Sequence, residues 1–351
     1  MLLRLAICGF GHVGQALAHI ILRKWEEYRL RYGLKFQVQM VADSGGAAFS
    51  SDGLPLDELL GLKRNGLGVS AHPRFGRTGP CGPEILEEAP FDVLVELSPT
   101  DLRHAEPGLG NIRKAIFLGK HVVTANKGPL VLAWRELRSS AEAAGVGLKF
   151  GGATAAALPT TNVGQYDLAG CAITGLEGVL NGTTNFILTG MSQNGWEYEP
   201  ALSEAQKLGI AERDPSLDVE GWDTAVKLVI LANAMMGADL TLDQVEREGI
   251  TALRPSDFAE AAARGQAIKL VGSARPRRGA DQSGGPGEVT VRVGPVALPL
   301  DQPLARVDGT EKALTFETDL MGRLTVMGGG SGPTPAAASV VRDLINLARE
   351  L

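Results

Sequence analysis

The stretch from Leu208 to Lys227, LGIAERDPSLDVEGWDTAVK, concentrates groups able to do chemistry. Three acids, Glu212, Asp214 and Asp218, surround a rigid Pro215. From Gly221 onward the apolar residues Trp222, Ala225, Val226, Val229, Ile230 and Ala232 recur at helical spacing. On that predicted helix Asp223 and Lys227 stand four residues apart, so their side chains leave one face and can meet, or grip a shared ligand. A zwitterionic small molecule needs such a set: carboxylates for its ammonium, and an ammonium for its carboxylate or carbonyl. The same spacing also describes an exposed ion pair beside a solvated acidic loop, and the stretch alone does not separate the two.

The elements that would position these groups come from a chain of 351 residues, more than one core usually holds, so two domains are expected. Its apolar content of 44% and charged content of 21% are those of a soluble globular protein. A net charge of −6 supplies no basic footprint for nucleic acid or an anionic membrane. No apolar run has the length of a membrane span, and MLLRLAICGFG suits a first strand better than a signal peptide. Cys8, Cys81 and Cys171 are odd in number and far apart, which argues against a disulfide framework and fits a reducing cytoplasm. The five histidines do not fall at metal-ligand spacing.

Leu3 to Cys8 reads as a buried parallel strand, and GFGHVG follows at once, with a long helix after it. In that setting Gly9 permits the tight turn, Gly11 lets backbone approach a pyrophosphate, and Gly14 lets helix and strand pack. Phe10, His12 and Val13 complete the predicted phosphate loop. Phe36 to Ala42 is the second strand. Asp43 at its end could accept hydrogen bonds from a ribose diol and repel a 2′-phosphate, which tilts the cofactor toward NAD. A turn-forming Asp before Gly45-Gly46 accounts for it equally well. Residues 45–90 read as irregular, with one short helix at Pro55 to Leu62. Phe91 to Leu97 and His121 to Thr124 are further strands, ending in Ser98-Pro99-Thr100 and in Ala125-Asn126-Lys127. Both loops fall at the carboxyl edge where doubly wound sheets bind ligands. Leu130 to Ala144 reads as one helix and Val146 to Phe150 as a strand. The small residues of GGATAAALPT then mark the domain crossover.

The second domain opens with the strand Ile173 to Leu180 and the turn Asn181-Gly182-Thr183-Thr184-Asn185, before a helix over Phe186 to Ser192. That turn could hold a carboxylate or could simply cap its own helix. Further strands are expected near 267–274, 288–298, 313–318 and 324–327. The segment PRRGADQSGGPG is expected as a hairpin loop, and a glycine-rich turn, 328–332, opens the closing helix. The fold class expected is α/β: a Rossmann-type dinucleotide-binding domain over 1–150, completed by the helix 333–351. An α+β catalytic and dimerisation domain with a mixed sheet is expected over 151–332.

Taken together, GFGHVG, SPT, GKHVVTANKGPL, LNGTTNFIL, LGIAERDPSLDVEGWDTAVK and the closing GGGSGPT resemble the homoserine dehydrogenase family in order and spacing, over essentially the whole chain. The resemblance implies NAD- or NADP-dependent interconversion of L-homoserine and L-aspartate 4-semialdehyde, a step toward threonine and methionine. It implies that Lys127 and Lys227 match the lysines of catalysis and substrate polarisation. Glu212 and Asp223 match the acids that hold the substrate's ammonium and hydroxyl. Gly209, Gly182 and Thr183 match the pocket floor, and Gly330 a glycine near the nicotinamide. Ser98 and Thr100 join the cofactor set. A homodimer is the assembly the resemblance implies.

One departure stands out. Where many relatives have a strand-end Glu beside a monovalent-cation turn, this chain has Gly151, so no required metal is expected. With the sequence ending just after its closing helix, no appended regulatory domain of the kind some relatives carry is expected. Two other readings stay open: a related dehydrogenase acting on another amino-acid semialdehyde or imine, and a catalytically silent nucleotide sensor.

Overall fold

The computed structural model describes residues 1–79, 82–277 and 289–351. They form two compact units, Met1–Ala156 with Gly332–Leu351, and Ala157–Ser331.

The first unit holds β1 (Leu2–Cys8), β2 (Lys35–Asp43), β3 (Gly46–Phe49), β4 (Gly76–Thr78), β5 (Val93–Glu96), β6 (His121–Thr124) and β7 (Leu148–Lys149). Its helices are α1 (His12–Tyr32), α2 (Leu56–Arg64), α3 (Gly108–Phe117), α4 (Lys127–Leu132), α5 (Trp134–Ala144) and α6 (Gly151–Thr154), together with the C-terminal helix Pro333–Glu350. The sheet runs β4-β3-β2-β1-β5-β6-β7. From β2 to β7 all neighbours are parallel, while β3 and β4 add antiparallel at one edge. Because side chains alternate across a strand, Leu3, Leu5 and Ile7 enter one apolar core with Leu17, Ile21 and Val340. Ala6 and Cys8 enter the opposite core with Ile112 and Leu137. Both faces of β1 are therefore covered, and β1 and β5 flank the point where the crossover direction reverses.

Several local features differ from expectation. The edge pair β3–β4 was not anticipated, since GAAF and GRT are too short and too small to show alternation. The single helix expected over Leu130 to Ala144 is two helices, broken at Ala133, and beyond the break Trp134 packs edge-on against Phe150 at 5.0 Å. The strand expected over Val146 to Phe150 pairs only through Leu148 and Lys149. At the small residues taken for the domain crossover, Gly151 opens α6, and its amide donates to Asp343 Oδ2 at 2.7 Å.

The second unit holds α7 (Thr160–Asn162), β8 (Ile173–Val179), α8 (Gly182–Asn194), α9 (Tyr198–Lys207), α10 (Ser216–Val219) and α11 (Trp222–Met236). It continues with β9 (Val245–Arg247), α12 (Pro255–Ala263), β10 (Gln266–Pro276), β11 (Val289–Pro299), β12 (Lys312–Thr318) and β13 (Gly322–Gly328). The sheet order is β13-β12-β8-β10-β11-β9, antiparallel except for the β11–β9 pair, so the sheet is mixed. A Cβ on Gly272 of β10 would come within 3.0 Å of Thr224 and 3.1 Å of Leu228, so that glycine lets α11 lie close on the sheet. Most of the predicted hairpin loop, and Cys81, lie outside the described residues. Among the described residues no helix is long and apolar enough to cross a membrane.

Burial raises the Asp343 carboxyl from 3.8 to about 6, against the pull of Arg342 and the Gly151 amide. A folded-state pKa above the unfolded one means that the native state binds the extra proton, so stability is greatest below 3.8 and falls as pH climbs through about 6. Asp343→Asn should remove that contribution. Melting temperatures across this interval should decline less in the variant than in the parent, and parallel declines would contradict the assignment.

Candidate active site

In the first unit the three loop glycines serve different ends. A Cβ on Gly9, whose φ is +103°, would fall 2.3 Å from the Leu97 carbonyl, and one on Gly14 would fall 2.3 Å from the Gly9 oxygen. The protein's own packing therefore demands both. A Cβ on Gly11 meets nothing within 4 Å, so the space beside it is open to an incoming group. Gly11 caps α1 with no side-chain hydrogen bond, and the first turn has no acid, which leaves the amides around His12 and Val13 suited to a phosphate. A cavity of about 350 Å³ adjoins this turn, lined by Gly9, Asp43, Ser44, Ser98, Pro99 and Asn111 among others. These residues fit a dinucleotide.

Asp43 is held on both oxygens. Oδ1 accepts from the Gly45 amide at 2.9 Å, and Oδ2 accepts from the Val69 amide at 3.1 Å and from Lys63 Nζ at 2.8 Å. It is thus a turn-former and an acid at the cavity at once. Lys63 is its ion-pair partner.

The loops after β5 and β6 are tied together by Glu96, a buried acid the sequence reading passed over. It accepts from the Ser98 amide at 2.7 Å, from the Ser98 hydroxyl, and from Asn111 Nδ2 at 2.8 Å. Burial raises its pKa against these hydrogen bonds. Asn126 Nδ2 donates to Ser98 Oγ at 3.1 Å, while Asn126 Oδ1 accepts from Gly128 and so caps α4. The Lys127 amide donates to Thr100 Oγ1 at 3.4 Å. Lys127 therefore stands at the first position of α4 on a backbone pinned from both loops. The available signal was an acid, Glu96, directly after the apolar run Val93–Val95.

In the second unit the polar turn after β8 caps its own helix and also builds the site. Asn181 Oδ1 accepts from the Thr184 amide at 2.9 Å, starting α8 four residues earlier than expected. Its Nδ2 donates to Asp218 Oδ1 at 2.6 Å and to Asp223 Oδ2 at 2.8 Å. Lys227 Nζ donates to the same Asp223 oxygen at 2.5 Å and to the Leu180 carbonyl at 2.8 Å. The Asp223–Lys227 pair is nearly buried, not the solvated pair its spacing allowed: the side chains are 14% and 11% exposed. Thr183 Oγ1 donates to the Ile210 carbonyl at 3.2 Å, joining the turn to the loop that carries Gly209 and Glu212.

Asp218, given no function from sequence, belongs to this cluster, whereas Asp214 only closes a turn onto Ser216. Glu212 is exposed, and its carboxylate is not drawn into the cluster. Gly209 (φ +68°) has open space around its Cα, and Gly330 lies between Gly329 (φ +80°) and Ser331. Lys312, which the sequence reading did not single out, adds a further buried cation. Its pKa is pushed down to about 8 by burial and by Lys227, with Asp223 opposing.

Asn181→Ala would remove a helix cap and two carboxylate partners together. A loss of about 1–3 kcal/mol in urea unfolding is expected. An unchanged midpoint would show that the cluster does not depend on this amide.

Residues 159–345 match a family model described as homoserine dehydrogenase. A homoserine dehydrogenase from Methanocaldococcus jannaschii is 38% identical over 341 residues, 97% of each chain. An NAD(+)-dependent homoserine dehydrogenase from Pseudomonas canavaninivorans is 35% identical over 98% of this chain and 96% of its own. Among solved structures, a hyperthermophilic archaeal homoserine dehydrogenase mutant in complex with NADPH superposes with a TM-score of 0.83 at 28% identity, covering 100% of this chain and 99% of that one.

Proposed function

Since the chain belongs to the homoserine dehydrogenase family, we propose that it interconverts L-homoserine and L-aspartate 4-semialdehyde with a nicotinamide nucleotide. The observation that carries this reading is the buried Asn181–Asp223–Lys227 cluster, which offers acid and ammonium side by side.

When bound, the nicotinamide gives or takes the hydride, and the protein supplies position and charge. Lys227, steadied by Asp223 and the Leu180 carbonyl, directs its ammonium at the reacting oxygen and polarises the aldehyde. Lys127 moves the proton to or from that oxygen. Glu212 and Asp223 hold the substrate's ammonium and hydroxyl, and Gly182, Thr183 and Gly209 form the floor. Gly9 through Gly14, Asp43, Ser98, Thr100 and Gly330 bind the nucleotide.

NAD is the favoured nucleotide, because an acid at the end of β2, Asp43, disfavours a 2′-phosphate; Lys63 beside it tempers the discrimination. No metal is required: Gly151 has no carboxylate, and its amide is engaged by Asp343. The odd number and wide separation of Cys8, Cys81 and Cys171 in the sequence favour a cytoplasmic location. The exposed Leu320, Met321, Leu324 and Met327 on and before the edge strand β13 suit a second copy of the chain, hence a homodimer.

L-homoserine should drive reduction of NAD+, with NADP+ giving the lower kcat/KM. Lys127→Ala and Lys227→Ala should each lower kcat by about 100-fold or more. Loss of less than a few-fold in Lys127→Ala would remove it from proton transfer. Activity should also be indifferent to sodium at constant ionic strength, and marked reversible activation would overturn the metal-free reading.

A further inference from the structure

The second-unit cluster leaves one substrate charge unanswered. An amino acid brings a carboxylate as well as an ammonium and its reacting oxygen. Asp218, Asp223 and Glu212 repel a carboxylate, and Lys227 gives its ammonium to Asp223 and the Leu180 carbonyl. Lys312, the first residue of β12, is 4% exposed. Its Nζ donates to Ser331 Oγ at 2.7 Å. A Cβ on Gly182 would come 3.1 Å from that same Ser331 oxygen and 2.9 Å from the Thr310 carbonyl, so the Lys312–Ser331 pair lies directly against the turn that opens α8.

Lys269 shows what a purely structural buried lysine looks like in the same sheet. It is 3% exposed, and its ammonium is satisfied by Asp308 Oδ1 at 2.8 Å and the Val307 carbonyl at 2.5 Å. Lys312 has a hydroxyl where Lys269 has a carboxylate. Burying an ammonium against a neutral partner is costly, and a ligand carboxylate is the group that would repay it. The ionisable groups acting on Lys312 are Lys227 and Asp223 of α11. Helix α8 carries none, while Glu177 of β8 lies opposite Thr315 and is paired with Arg275 and with Arg323 of β13.

We propose that Lys312 is the specificity-determining cation of this site and receives the substrate's α-carboxylate above the Asn181–Thr183 turn. The proposal rests on the amino-acid reading of the cluster. Ser331 holds the ammonium in place until substrate arrives, and Lys227 keeps the one N–H not given to Asp223 and the Leu180 carbonyl for the reacting oxygen. Because Lys312 loses its proton near pH 8, the carboxylate's hold weakens as pH rises through that value, and homoserine KM rises with it.

The test compares full-length parent, Lys312→Gln and Lys312→Arg, with folding checked by thermal melting. Lys312→Gln should raise homoserine KM by about 30- to 100-fold with a smaller change in kcat. It should weaken competitive inhibition by L-2-aminobutyrate to the same degree, and leave kcat/KM for 3-aminopropan-1-ol, which lacks the carboxylate, nearly unchanged. Lys312→Arg should fold like the parent and move the alkaline rise in KM to higher pH. Equal losses on homoserine and 3-aminopropan-1-ol, or an alkaline limb that stays in place in Lys312→Arg, would overturn the proposal while the parent's activity stands. A parent inactive on homoserine with either nucleotide would instead overturn the activity itself, and the proposal with it.

Discussion

The second-unit site depends on one amide side chain that bonds in two directions. Asn181 accepts from the helix it caps and donates to two carboxylates that come from α10 and α11. A cap alone contributes about 1 kcal/mol. Here the same group also fixes where Asp223 points, and Asp223 fixes Lys227 through a short, nearly buried ion pair. Removing one partner of a buried pair leaves an uncompensated charge, which is why such clusters are held from several sides. The placement of α11 supports this: Gly272 lets the helix settle onto β10, which keeps Asp223 within reach of the turn after β8.

The first unit solves a similar problem with Glu96. A buried carboxyl at the end of β5 gathers Ser98 and Asn111, while Asn126 bridges Ser98 and the start of α4. The loops at the carboxyl edge of the parallel sheet are thus crosslinked by hydrogen bonds among these polar groups. Lys127 inherits its backbone position from that network. The first unit thus places its lysine by anchoring a capped helix start, whereas in the second Lys227 is held by its own side-chain bonds to Asp223 and the Leu180 carbonyl.

What the sequence disclosed follows the range of the interactions concerned. The glycine loop was legible because its demands are local: a positive φ at Gly9 and a close approach at Gly14 belong to a strand–turn–helix of a dozen residues. The Asp223–Lys227 pairing was legible as a possibility, since it lies within one helix, but its burial was not. The place of Asp218 in the cluster was not legible, because its partner Asn181 lies 37 residues away. Lys312 went unnoticed for the same reason: its significance comes from Ser331, Lys227 and Asp223, which the sheet and α11 bring to it. Glu96 had a visible signal, an acid within an apolar strand, that period-two reading treats as noise. The edge strands β3 and β4 were lost to shortness and small residues. Family resemblance, not residue spacing, supplied the substrate.

The central claim is that these residues serve hydride transfer at the carbon bearing the homoserine hydroxyl. L-Homoserine deuterated at that carbon tests it most directly. Deuterium should appear in the reduced nucleotide, with a primary isotope effect on kcat/KM when the chemical step is slowed by Lys227→Ala. Reduced nucleotide free of deuterium would contradict the account.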